Sequence, residues 1–139
     1  MALKTSMEYA AEAYMTRSHG KDEEAGRLAQ MAVRGFEFDG DYISAGNAAR
    51  DAGLEEMALE LFGVAVAEKQ KEGNSLGAAI VADMAGIRKK ANDFYENLAE
   101  GLAGKKEYTE AAIMAELAGL KGKAREYKEA DRQLWPIFF

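Results

Sequence analysis

The chain has 139 residues, 48% of them apolar and 30% charged, with a formal net charge of −6, no cysteine, one histidine and one proline. That length is enough for one domain with a real core, and without cysteine there is neither a disulfide framework nor a thiolate metal site. A net negative surface repels phosphate backbones, and no apolar run approaches the roughly 20 residues of a membrane-spanning helix, so neither nucleic acid nor membrane is an expected partner.

Residues 1–5, Met-Ala-Leu-Lys-Thr, lack the apolar stretch of a secretory leader, and the expected address is the cytoplasm. Beyond them the sequence reads as helices in pairs. Segments 6–18 and 22–35 form the first pair, 42–52 and 55–71 the second, 75–85 and 89–102 the third, and 108–118 and 123–134 the fourth. A glycine stands where each first helix ends: Gly20, Gly53, Gly86 and Gly119, at a constant interval of 33 residues. There the chain must turn, and glycine accepts the left-handed conformation that a Cβ resists. Between pairs, Asp39-Gly40-Asp41, Gly73-Asn74-Ser75 and Gly104-Lys105-Lys106 supply turn and capping chemistry.

Other columns keep the same step. Ala25, Ala58, Ala91 and Ala124 open the second helices; Thr16, Ala49, Ala82 and Ala115 close the first ones; Tyr9, Tyr42, Ser75 and Tyr108 begin them; Leu28, Leu61, Phe94 and Tyr127 follow in the second. So many columns in phase are the signature of an internal repeat. The small residues let paired helices approach closely, while the larger ones fill the gaps between pairs. One pair alone cannot bury its apolar stripe, whereas stacked pairs form a continuous core. The expected fold is all-α: a solenoid of four 33-residue helix-turn-helix repeats at about 6–38, 39–71, 72–104 and 105–136. Together they make a single repeat domain over 1–139, with an apolar tail at 137–139.

The pattern resembles the tetratricopeptide repeat (TPR) family, whose signature runs W-x-x-L-G-x-x-Y, then A-x-x-x-F, then P. The second unit gives Tyr42-x-x-Ala45-Gly46-x-x-Ala49, then Ala58-x-x-x-Phe62. The third gives Ser75-x-x-Ala78-Ala79-x-x-Ala82, then Ala91-x-x-x-Tyr95. The fourth gives Tyr108-x-x-Ala111-Ala112-x-x-Ala115, then Ala124-x-x-x-Lys128, with Pro136 where the family proline falls. The first unit, Tyr9-x-x-Glu12-Ala13-x-x-Thr16 then Ala25-x-x-x-Ala29, matches least. The period is one residue shorter than the family's usual 34, and alanine replaces the large residue in the middle of the first helix. The resemblance implies a right-handed superhelix of helix pairs whose first helices line a concave groove that holds a peptide.

The inventory for catalysis is thin. His19, beside Gly20, is placed to bond the last carbonyls of its helix. The acidic clusters Asp22-Glu23-Glu24 and Glu55-Glu56 open helices, where the dipole favours negative charge. There is no Glu-x-x-His pair for a di-metal centre and no G-x-x-x-x-G-K-[ST] phosphate loop. No catalytic residue, metal or cofactor is expected, and the chain is expected not to be an enzyme. The expected role is a protein–protein interaction module or scaffold that binds a partner protein or peptide.

On the geometry the resemblance implies, the groove candidates fall in columns: Tyr14, Asn47, Ile80 and Ile113, with Arg17, Arg50, Asp83 and Glu116 three residues on, on the same helical face. Flanking columns bring Leu76, Met84 and Leu117. The first half suits a carboxylate or an acidic segment. The second half suits an apolar helix with a basic edge. Apolar residues on adjacent helices are, however, more often core than groove. At the far end stand Trp135, Pro136, Ile137, Phe138 and Phe139, large apolar groups that either fold back as a cap or enter a second subunit. A homo-oligomer assembled through that tail is the alternative expectation. A small-ligand binder or an enzyme ranks after both.

Overall fold

The computed structural model describes residues 4–134. Among them are eight α-helices and no strand: α1 (Ser6–Ser18), α2 (Asp22–Phe38), α3 (Tyr42–Asp51), α4 (Glu55–Lys71), α5 (Ser75–Met84), α6 (Arg88–Gly104), α7 (Tyr108–Leu117) and α8 (Lys121–Leu134). No described helix is long and apolar enough to cross a membrane. The helices alternate between shorter and longer members, as the glycine spacing predicts. Within each unit, consecutive helices pack together, α1 on α2 on α3 and α5 on α6 on α7 on α8, the arrangement of a generic helical repeat.

The turns show why the spacing is so regular. Gly20, Gly53, Gly86 and Gly119 all take a left-handed conformation, with φ between 77° and 83°. In each, the glycine N–H donates to the carbonyl three residues back, and the next N–H reaches five residues back. Gly53 N–H donates to Arg50 O and Leu54 N–H to Ala49 O, both at 2.9 Å. These bonds satisfy carbonyls that a helix end otherwise leaves open. The turns between pairs use the same device at Gly40, Gly73 and Lys106. The third of these corrects the sequence reading. Gly104 is the last residue of α6, and the left-handed position falls to Lys106 at φ 63°.

Starts are capped unevenly. Thr5 and Glu8 form a reciprocal box at α1. Asp41 accepts from Ser44 N–H at 3.1 Å and Asn74 from Gly77 N–H at 2.8 Å. Glu107, in the same column, makes no side-chain cap.

The chain forms two compact units, Met1–Glu68 and Lys69–Phe139. In the first, α1 packs on α2 and α2 on α3. Its core joins Ala13, Leu28, Ala29 and Ala52, with Tyr9 and Leu54 against them. Phe62 and Val66 of α4 are the largest side chains fully buried. Phe62 has room because Gly46 faces it: a Cβ there would meet the ring at 2.9 Å. In the second unit, α5 packs on α6, α6 on α7 and α7 on α8. Its core joins Ala99, Ala115 and Ala124, with Met114, Leu120 and Tyr127 beside them. Tyr108 and Tyr127 stack, with ring centroids 6.4 Å apart.

The alanine columns are buried as their spacing implies. Ala25, Ala58, Ala91, Ala124, Ala49, Ala82 and Ala115 are all at or near zero exposure. Alanine at a helix crossing shortens the interaxial distance and loses little side-chain entropy. No charged or polar residue is buried among the described residues, and no buried side-chain polar atom lacks a partner.

Candidate functional site

The outward faces of the first helices carry the groove candidates. Tyr14 on α1 and Asn47 on α3 are exposed in the first unit. In the second, Leu76, Ile80 and Met84 on α5 and Ile113 and Leu117 on α7 are each between 43% and 49% exposed. Their apolar character suggests core, yet the fold turns them out. The buried stripe of α5 is Ala78, Ala79, Val81 and Ala82, and its larger neighbours Leu76, Ile80 and Met84 face solvent.

The charged column is engaged, through the residue five positions on in the second and third repeats and through other partners in the first and fourth. Each member stands five residues before a residue of opposite charge: Arg17 before Asp22, Arg50 before Glu55, Asp83 before Arg88, Glu116 before Lys121. The sign reverses between the second and third repeats. Arg50 and Glu55 pair at 3.1 Å, and Arg88 donates to Asp83 at 2.6 Å. A second column tunes the contact. At 29, 62, 95 and 128 stand Ala29, Phe62, Tyr95 and Lys128. The Arg50 guanidinium lies over the Phe62 ring, 4.9 Å from its centroid. Asp83 and Arg88 act on Tyr95 with opposite sign. Lys128 bonds to Glu116. Ala29 offers no ring, and Arg17 reaches forward instead. Its Nη1 donates to the Asp51 carbonyl at 2.9 Å, and its guanidinium lies over Gly53. Exposed pairs of this kind contribute roughly 0–1 kcal/mol each, so they orient the column more than they stabilise the fold.

Burial pushes the Tyr95 hydroxyl above the usual tyrosine range; Asp83 adds to the rise and Arg88 opposes it. His19 sits as the sequence reading placed it, its Nδ1 2.7 Å from Met15 O at the end of α1. Among the described residues no group of His, Cys, Asp and Glu is arranged to hold a metal ion.

Two clefts of the repeat are equivalent by a shift of 66 residues. In the first unit, Met7, Ala10, Phe36, Asp41, Ser44, Asn47, Ala48 and Asp51 line a cleft of about 250 Å³. In the second, α5, α6 and α7 border an open cleft of about 470 Å³ lined by Leu76, Leu98, Leu102, Glu107, Glu110 and Met114. Leu76 is a groove candidate in the sequence and the other five are not: Leu98 and Leu102 lie on a second helix, and Glu107, Glu110 and Met114 stand at and along α7 outside the groove columns. Alternating leucines at 98 and 102 on a second helix, with Met114 on the next first helix, were the available signal. Ile113 and Glu116 line a separate hollow between α7 and α8 with Thr109, Lys128 and Arg132. Trp135, Ile137, Phe138 and Phe139 lie outside the described residues.

Compared with protein-family models, curated proteins and solved structures, the chain matches none of them.

Proposed function

We propose that this chain is a non-catalytic, cytoplasmic protein–protein interaction module, a TPR-like array of four 33-residue repeats that docks a partner on the outward faces of its first helices. The observation that carries this reading is the exposed apolar face of the second unit. Five large side chains on α5 and α7, Leu76, Ile80, Met84, Ile113 and Leu117, stand nearly half exposed. An apolar face of that kind, rimmed by charged pairs, is the ordinary signature of a docking surface.

The test is comparative capture. The protein and its Ile80→Asp/Ile113→Asp variant are each used as bait, and retained proteins are then purified for binary binding. The variant keeps its helical circular dichroism, since both positions are exposed, and loses a partner that the parent binds directly. An identical retained set for both baits refutes docking on this face.

The sequence of the tail favours one other reading, a self-assembling structural protein. Trp135, Ile137, Phe138 and Phe139 concentrate large apolar groups in five residues. Light scattering on the 139-residue chain and on a chain ending at Trp135 separates the two. An oligomer that falls to monomer on truncation supports assembly, and two monomers refute it.

A further inference from the structure

We propose that the open cleft bordered by α5, α6 and α7 seats one amphipathic helix of a partner protein whose apolar ridge is edged by lysine or arginine. This deepens the docking role proposed above and rests on it. The cleft holds about 470 Å³, within the roughly 300–1,000 Å³ of ligand sites. Its floor is apolar: Leu76 from α5, Leu98 and Leu102 from α6, Met114 from α7. Its lip is acidic. Glu107 and Glu110 are exposed, and neither side chain makes a hydrogen bond or ion pair among the described residues. Asp83 and Glu116, by contrast, already hold Arg88 and Lys128. These two free carboxylates sit at the α7 end of the cleft, where the exposed Lys105 and Lys106 immediately precede Glu107 in the chain.

The acidic lip has a local cause. In the column Asp41, Asn74, Glu107, the two shorter side chains fold back to cap their helices. Glutamate is one methylene too long for that geometry, and its carboxylate stays in solvent. Nor is the cleft a generic product of the fold. Its equivalent in the first unit has about 250 Å³, with Ala10 and Ser44 where the second unit has Leu76 and Glu110. Both clefts keep an apolar residue at Phe36 and Leu102 and an acidic one at Asp41 and Glu107; what the second unit adds is Leu76 on the floor and Glu110 on the lip, and it leaves Glu107 uncapped.

The length of the surface points to a helical guest. From Leu76 in the cleft, Ile80 and Met84 continue along α5 at i, i+4 and i+8, all exposed. That ridge is about 12 Å long at 1.5 Å per residue. It matches two to three turns of a helix that packs its own i, i+4 ridge alongside. The free carboxylates then attract a cationic edge and reject an anionic one. Acidic residues in a first turn complement the helix dipole as well, so the decisive reading is peptide preference and not stability.

Two fluorescent synthetic helices are used as probes, with the same leucine ridge at i, i+4 and i+8 but with lysine or glutamate along its edge. Fluorescence anisotropy is measured with the 139-residue chain at low and high salt. The expected result is at least about tenfold tighter binding of the lysine-edged peptide, weakening as salt rises. Glu107→Lys/Glu110→Lys reverses the preference. Leu76→Asp, an exposed position, weakens both peptides. If neither peptide binds, or both bind alike, or the double charge reversal leaves the preference unchanged, the proposed guest is wrong. If binding appears only after dilution dissociates a dimer, the cleft's occupant is a second copy of this chain, which also overturns it. Loss of the guest class leaves the broader docking role intact, because that role is judged by capture with the Ile80→Asp/Ile113→Asp bait.

Discussion

Gly46→Ala tests how the second repeat makes room for its aromatic residue. A glycine inside a helix costs about 1 kcal/mol relative to alanine, so replacement in open space stabilises by about that amount. Gly63, the neighbour of Phe62 on α4, is such a case, with no atom near the position of an added Cβ. At Gly46 the added Cβ meets three ring carbons of Phe62 at 2.9 Å, and Phe62 is fully buried. Overpacking of that kind costs about 1–3 kcal/mol, which cancels or exceeds the propensity gain. The net expectation is a loss of about 0–2 kcal/mol for Gly46→Ala against a gain of up to about 1 kcal/mol for Gly63→Ala. Urea unfolding of the two variants, followed by circular dichroism, measures the difference directly. Phe62→Leu supplies the control, since without the ring the added methyl at 46 should no longer be penalised. A double-mutant cycle with no coupling between 46 and 62, or a Gly46→Ala variant as stabilised as Gly63→Ala, refutes the size-matching argument.

Two further outcomes are expected. Lys106→Gly should raise stability by up to about 1 kcal/mol in the same unfolding assay, because it relieves a side chain held at φ 63° where the equivalent turns have Gly40 and Gly73. Tyr95 should contribute to alkaline sensitivity. Its hydroxyl is held above the usual range chiefly by burial, so the folded state binds that proton more tightly than the unfolded state. The corresponding stability is whole below the unfolded value of about 10 and declines as pH rises from there through the folded value. Tyr95→Phe should therefore flatten the loss of stability above about pH 10, and an unchanged alkaline limb counts against this assignment.

Much of the fold was legible because its signals are local. A left-handed turn selects glycine whatever lies around it, so Gly20, Gly53, Gly86 and Gly119 mark helix ends without any tertiary knowledge. The expected segments 6–18 and 55–71 coincide with α1 and α4, and the others differ at their ends by up to three residues. The buried alanine columns were legible for a similar reason, since a helix crossing accepts only small side chains wherever it recurs. The turn at Lys106 is not legible, because Gly104 carries the local turn signal while hydrogen bonding continues α6 through that glycine before the chain reverses.

The sequence by itself determined the helices, their pairing and their period, all properties of neighbours within about five residues or of residues in phase. Only the tertiary structure decided how the larger apolar side chains divide between core and surface. On α5, Val81 is buried with Ala78, Ala79 and Ala82, while Leu76, Ile80 and Met84 stand out. Side-chain size alone does not separate Val81 from Ile80. The tertiary structure also decided that Arg17 reaches the carbonyl of Asp51 and that Arg50 covers Phe62. It decided, too, that Leu98, Leu102 and Met114 meet beneath Glu107 and Glu110. A cleft is made by several helices at once, and no periodicity within one of them records it.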